Sequence, residues 1–164
     1  MILEFCRWLG QTRLSITFQS VSWIVPSVQT IHILCVAVIV TYSAMLDLRL
    51  IGVAGRHRTI AQMTRDSMPW IWKALAVLAA TGTILIIAEP ARELTNAAFW
   101  LKMSMLALGI ALTFLVQRGI EKNDEYWESS ASRQRAARIV ATLSILVWIT
   151  VLSAGRWIGY VQHG

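Results

Sequence analysis

The sequence predicts an all-α integral membrane protein, a four-helix bundle preceded by an amphipathic helix in the membrane interface. The chain is 56% hydrophobic and 15% charged, whereas a soluble domain carries about 25% charged residues. Eight tryptophans stand against four phenylalanines, and indole rings favour the headgroup level of a bilayer. Four apolar stretches are long enough to cross the hydrocarbon core as helices. The predicted spans are about 27–50, 69–88, 98–117 and 137–157.

Residues 1–25 contain no uninterrupted apolar run, so they predict neither a conventional signal peptide nor a complete span. Apolar side chains recur there at helical spacing, at Leu14, Phe18, Val21 and Val25. Polar residues interrupt the rest of the segment. This pattern is typical of a helix that lies in the membrane interface.

The first span carries two ionisable groups, His32 near its beginning and Asp47 near its end. At about 100° per residue, one helical face presents a polar seam, composed of His32, Cys35, Ile39, Ser43 and Asp47. Lipid offers neither an imidazole nor a carboxylate a hydrogen-bond partner. We therefore expect the polar seam to face protein or a ligand.

The whole chain, 1–164, is expected to form one membrane domain, because the connections are too short for a second one. A basic segment follows the first span, and Glu89-Pro90 ends the second. Residues 89–98 are predicted to form a turn between the second and third spans. The polar segment 119–136 is predicted to form a surface helix.

The distribution of lysine and arginine predicts the orientation in the membrane. One side carries ten of these residues, Arg49, Arg56, Arg58, Arg65, Lys73, Arg118, Lys122, Arg133, Arg135 and Arg138. The other side carries five, Arg7, Arg13, Arg92, Lys102 and Arg156. We therefore expect a multi-pass protein of a bacterial inner membrane with both termini periplasmic. Because the basic residues flank apolar spans, the net charge of +6 indicates topology, and no nucleic-acid partner is expected.

An up-and-down bundle makes the first and third spans parallel, which places His32 and Lys102 at similar depth. Glu89 and Arg156 end the second and fourth spans on that same side. The sequence therefore predicts a cluster of these four residues. A matching face of the third span would point toward it, composed of Lys102, Met105, Leu106, Gly109, Thr113 and Gln117.

His32 is the candidate metal ligand, and haem b is the cofactor that this arrangement favours. Imidazole is a common haem ligand, and four-helix bundles house cofactors between facing helices. Lys102 and Arg156 would then neutralise the haem propionates. The alternative is structural: His32 and Lys102 bond to carbonyls or headgroups, with the lysine extending outward. The predicted spans hold no second histidine, which argues against a bis-histidine cytochrome built from one chain.

Copper is the alternative metal. Cys35, Met103, Met105 and His32 are ligand types that Cu(I) accepts. The two methionines are two residues apart, so they point in different directions from a helix. Methionines scattered through apolar spans usually serve packing.

Asp47 and Arg49 lie near the other end of the first span. We expect Asp47 to pair with a basic residue of another helix and Arg49 to reach lipid phosphates. The sequence contains no Gly-rich phosphate loop, HExxH or CxxC motif, so hydrolase and nucleotide-binding functions have no support.

The first span runs from IHIL to LDLRLIG, and NAAFWLKM introduces the third. These segments resemble a family of small uncharacterised bacterial four-span membrane proteins, which look like distant relatives of the CopD copper-resistance membrane domain and of HemJ-type protoporphyrinogen oxidases. The resemblance covers about residues 23–120. It implies that His32 and Lys102 serve haem binding and activity. The HemJ pattern has further histidines at the ends of the first and third spans. In this chain Asp47 and Arg49 stand at the end of the first span, and Gln117 stands at the end of the third.

Two further functions are compatible with the sequence besides a redox-associated subunit that binds haem b through His32. The first is a non-catalytic subunit that anchors or assembles a larger complex, with other membrane or periplasmic proteins as partners. The second is copper handling. No catalytic residue is assigned, and the lipid bilayer is expected to surround the chain in each case.

Overall fold

A computed structural model of the chain describes residues 1–55 and 57–157. Within those ranges the protein is built from helices and contains no strand. The helices are α1 (Ile2–Gly10), α2 (Arg13–Ser20), α3 (Ile24–Ile51), α4 (Ile60–Ala88), α5 (Pro90–Leu94), α6 (Ala97–Lys122) and α7 (Ala131–Trp157).

Four of these helices, α3, α4, α6 and α7, are long and apolar enough to cross a membrane. The four candidate spans are 25–29 residues long, and each contains an 18-residue segment with a mean hydropathy of 1.9 or 2.0. A helix of about 20 residues already spans the hydrocarbon core. The prediction of an all-α protein with four membrane helices is confirmed.

The long helices form two pairs joined through α3 and α7. Helix α3 packs along α4 and along α7, α7 packs along α6, and α4 barely touches α6. Two apolar clusters fill the interior. One surrounds Leu50, Ile71 and Trp127, and the other surrounds Ile39 and Trp148. The bundle is therefore closed on three sides and loosely joined on the side between α4 and α6.

The amino-terminal segment forms two short helices rather than one. Helix α1 ends at Gly10, and Thr12 caps α2, accepting a hydrogen bond from the Ser15 backbone N–H at 3.3 Å. The Gln19 amide donates to the Ala88 carbonyl at 2.7 Å, and the Cys6 thiol donates to the Pro90 carbonyl at 3.5 Å. The first bond satisfies a carbonyl at the end of α4 that the helix itself leaves open, and the second attaches α1 to the first residue of α5.

Three boundaries differ from those expected from the sequence. Helix α4 begins at Ile60, upstream of the predicted span, because Thr59 and Gln62 form a reciprocal capping box. A short helix, α5, occupies half of the predicted turn. The surface helix predicted for 119–136 is wrong: α6 continues to Lys122, turns follow, and α7 begins at Ala131. The polar residues of that segment indicate exposure to solvent. Exposed turns and exposed helices are both polar, so polarity alone does not distinguish them.

Candidate functional site

The polar seam of α3 faces the bundle interior. Ile39, Ser43 and Asp47 are buried, and His32 and Cys35 are half-buried. Leu34, on another side of the same helix, is 60% exposed. The cost of placing polar groups against lipid accounts for this orientation. The seam therefore has two ends, which we name the His32 end and the Asp47 end.

At the His32 end, the imidazole is held by α4. His32 Nδ1 lies 3.0 Å from Thr81 Oγ1, and Thr81 Oγ1 lies 2.8 Å from the Val77 carbonyl and 3.1 Å from the Leu78 carbonyl. A threonine hydroxyl has one proton, and the two carbonyls can only accept it. When a carbonyl takes that proton, Nδ1–H of His32 donates to Thr81, and the lone pair of the neutral ring is on Nε2.

Glycines bring the neighbouring helices close to the two ionisable side chains. A Cβ atom on Gly82 would lie 3.4 Å from His32 Cε1, so glycine lets the ring rest against α4. A Cβ atom on Gly155 would lie 3.9 Å from Lys102 Cε. His32 thus packs on α4 and Lys102 packs on α7, with the two side chains on the same end of the bundle.

Lys102 is the positive charge of this end. It is half-buried, and its ammonium acts electrostatically on His32 and on Glu93. His32 and Lys102 are therefore close enough for their charges to interact. An ammonium held in a half-buried setting favours an anionic group beside it.

Glu93 is the carboxylate of this end, and it was not among the residues predicted from the sequence. Burial raises the pKa of Glu93, whereas the nearby charges of Lys102 and Arg92 oppose that rise. Glu89, which was expected in the cluster, instead forms an ion pair with Arg92. Glu93 lies one helical turn beyond Glu89, on a short helix that was expected to be a turn, so its direction was not visible in the sequence.

The other predicted ligands have separate positions. The side chain of Arg156 lies outside the described residues. Cys35 and Met105 both pack against the apolar cluster around Ile39 and Trp148. Over residues 1–55 and 57–157, no three His, Cys, Asp or Glu side chains come together in a metal-binding group.

At the Asp47 end, the expected pairing of Asp47 with a basic residue is wrong. Asp47 is 4% exposed, and the Ser144 hydroxyl hydrogen-bonds to its carboxylate. The neighbouring cation is engaged elsewhere: Arg49 binds Glu128 at 2.9 Å and donates from Nε to the Arg58 carbonyl at 2.7 Å. The two residues of α3 point in different directions because they are two positions apart on a helix.

The chain belongs to the DUF6644 family, a family of unknown function. The family model matches residues 7–161. The match includes all four membrane helices and both ends of the polar seam.

No curated protein and no solved structure matches the chain. Membership of this family therefore assigns no activity to the chain. A functional proposal depends on the positions and contacts of the side chains.

Proposed function

We propose that this protein is a small redox-associated membrane subunit that binds haem b through Nε2 of His32. The observation that supports the proposal is the hydrogen bond between His32 Nδ1 and Thr81 Oγ1, 3.0 Å long. Histidines that ligate metals commonly donate their other ring N–H to a fixed acceptor, which sets the tautomer and the ring orientation. Thr81 plays that part for His32, and the ring is left with one lone pair for a ligand.

The surrounding residues fit the group. Lys102 would hold a propionate by charge, and Arg156, at the end of α7, would be the second cation for this role. Gly82 and Gly155 leave space beside the two side chains that a Cβ atom would fill. Haem, when bound, supplies one-electron chemistry; the chain orients the ligand imidazole and balances the carboxylates.

The test is an absorption spectrum of the full chain, purified in detergent from haem-supplied cells. We expect a Soret band that His32→Ala abolishes and that His57→Ala, a change in the exposed loop before α4, leaves intact. Thr81→Val should keep the band but weaken haem retention about 10-fold, the usual scale for loss of such a supporting bond. A colourless wild-type chain, or a band unaffected by His32→Ala, would exclude the proposal.

A second function, a non-catalytic anchor or assembly subunit, draws support from the loosely joined side of the bundle. A cleft of about 490 Å³ lies between α4 and α6. Met68, Trp72 and Gln117 line it, and the Trp72 indole donates to Gln117 Oε1 at 2.9 Å. A helix of another membrane protein would complete this side.

Photo-crosslinking in native membranes tests that second function. A photoreactive residue in place of Trp72 should capture a defined protein, whereas one in place of Ile149, which is 54% exposed on α7, should label lipid. Equal labelling from both positions would exclude assembly through this cleft.

Copper handling is the remaining proposal, and Cys35, Met105 and His32 would supply its ligands. Its support is the position of Cys35 one turn from His32 on the same face, with Met105 in the same apolar cluster. Metal analysis of purified chain should then find copper that Cys35→Ser removes. Copper content unchanged by Cys35→Ser and His32→Ala would exclude it.

The expected setting is a bacterial inner membrane with both termini periplasmic. The structure shows four helices capable of crossing a bilayer, and the lysine and arginine distribution supports the orientation. The test is a reporter that works only in the cytoplasm, fused to the C-terminus. Activity of this fusion would exclude the periplasmic orientation.

A further inference from the structure

A small polar cavity lies at the Asp47 end, where α3, α4, α6 and α7 meet. Its free volume is about 10 Å³, at the threshold for one water-sized particle. Four of its lining residues are polar and the others are apolar. The polar ones are Ser43, Asp47, Thr113 and Ser144, and each of them is at least 93% buried.

Two oxygen atoms in this cavity have open bonding capacity. Among the described residues, Asp47 Oδ2 and Ser43 Oγ have no hydrogen-bond partner. A buried polar atom without a partner costs about 1–3 kcal/mol, so native proteins rarely retain one unless a ligand or water satisfies it. The cavity is therefore shaped for an occupant that bonds to oxygen.

The hydroxyls of Thr113 and Ser144 also line the cavity. The Thr113 hydroxyl donates its proton to the Gly109 carbonyl at 2.9 Å, so toward the cavity it offers only lone pairs. The Ser144 hydroxyl bonds to the Asp47 carboxylate. The cavity thus presents one carboxylate and oxygen lone pairs, which are the ligands of hard cations.

Charge decides which occupant is favoured. Among the described residues that line the cavity, Asp47 alone is charged, since those from α4, α6 and α7 are uncharged. The nearest cation along the chain, Arg49, is bound to Glu128 and to the Arg58 carbonyl. A carboxylate removed from water either takes up a proton or acquires a compensating charge, and a water molecule carries none.

We propose that this cavity is a binding site for one monovalent cation, Na⁺, with Asp47 as the charged ligand and Ser43, Thr113 and Ser144 as neutral oxygen ligands. One negative charge matches one positive charge, so the site is neutral when filled. Its size admits a single bare ion and excludes a hydrated one. The site is separate from the His32 end and does not depend on any haem.

The experiment is thermal unfolding of the purified full chain in detergent at pH 8, in NaCl or choline chloride of equal ionic strength. We expect Na⁺ to raise Tm with the logarithm of its concentration above Kd, by about 5 °C or more at one hundred times its Kd. Asp47→Asn should abolish the Na⁺-dependent rise. Asp66→Asn, an exposed carboxylate paired with Arg58, should leave it unchanged.

Two further variants keep the test decisive if Asp47→Asn does not fold. Ser43→Ala and Thr113→Val each remove one neutral ligand and should weaken Na⁺ binding about 10-fold. The Na⁺ concentration at which Tm begins to rise, and the Kd for bound ²²Na⁺, should each increase by that factor. A wild-type Tm that is indifferent to Na⁺ would overturn the proposal. So would a Tm that rises only on acidification, because a proton would then be the occupant of Asp47.

Discussion

The two ends of the polar seam place ionisable groups in opposite kinds of surroundings. At the His32 end, imidazole, ammonium and carboxylate are half-buried and belong to α3, α6 and α5. At the Asp47 end, one carboxylate is fully buried among hydroxyls and apolar side chains. Half-buried charges can compensate one another and remain reachable, whereas a buried single charge must acquire a partner from outside.

The packing around the glycines also differs between the two ends. Gly119, at the Asp47 end, is enclosed by Trp127, whose indole N–H donates to the Val116 carbonyl at 3.1 Å. At the His32 end, Gly82 and Gly155 leave ordinary contact distances to their neighbours. The packing is thus tight around Gly119 at the Asp47 end and ordinary around the two glycines of the His32 end. The following four changes would break or sharpen this contrast.

Gly119→Ala should have the largest effect. An added Cβ would lie 2.5 Å from Trp127 Nε1, and the indole is fixed by its bond to Val116, so the backbone must shift. Overpacking of this kind costs about 1–3 kcal/mol. Unfolding by SDS in mixed micelles should show that loss. Gly155→Ala, whose Cβ would lie 3.9 Å from Lys102, is the matched control and should change stability little; equal losses would refute the contrast in packing.

Arg49→Ala should rank second. The Arg49 side chain is 14% exposed and bonds to both Glu128 and the Arg58 carbonyl, so it ties the end of α3 to the loops that follow α3 and α6. Because the Glu128 side chain is 35% exposed, solvent screens the pair, and the loss should be about 1–2 kcal/mol in total. Arg65→Ala, which breaks an exposed pair with Asp124, should cost about 0–1 kcal/mol. The same unfolding assay compares them, and a larger loss from Arg65→Ala would contradict the assignment.

Thr81→Val should act on His32 specifically. The change keeps the shape of the side chain but removes the acceptor of Nδ1–H, at a cost of about 1 kcal/mol. Nitrogen NMR of labelled histidine should find the Nδ1–H tautomer of His32 in the wild type and a different tautomer distribution in the variant. Thr83→Val, an exposed neighbour on α4, is the control. An Nε2–H tautomer in the wild type would contradict the hydrogen-bond assignment.

Glu93→Gln should give the smallest effect, visible as a change of pH dependence. Because burial raises the pKa of Glu93 above its ordinary value of 4.5, the folded chain binds this proton more tightly than the unfolded chain. Stability should therefore increase as the pH falls through the raised pKa toward 4.5. Tm measured from pH 8 to 4.5 should show a rise that Glu93→Gln reduces and Glu125→Gln does not. Identical slopes in all three chains would show that Glu93 does not titrate in this window.

The sequence by itself determined the four membrane helices and the inward direction of the polar seam. Long apolar stretches have few alternatives to a spanning helix, and a histidine and an aspartate on one face of such a helix must avoid lipid. Both features depend on spacing within one segment, so they are readable without knowledge of neighbouring helices. Thr59 and Gln62 likewise carried a readable capping signal for the earlier beginning of α4.

Only the tertiary structure decided which groups the seam meets. Thr81, Glu93 and Ser144 come from three other helices, and their distances to α3 depend on helix rotation and register, which apolar periodicity defines loosely. For the same reason, Asp47 met hydroxyls rather than the expected basic residue, and Glu93 replaced Glu89 beside Lys102. Exposure to lipid excludes some directions for a polar side chain, and it can be inferred from one helix alone. The close contacts between helices determine which groups that side chain bonds to.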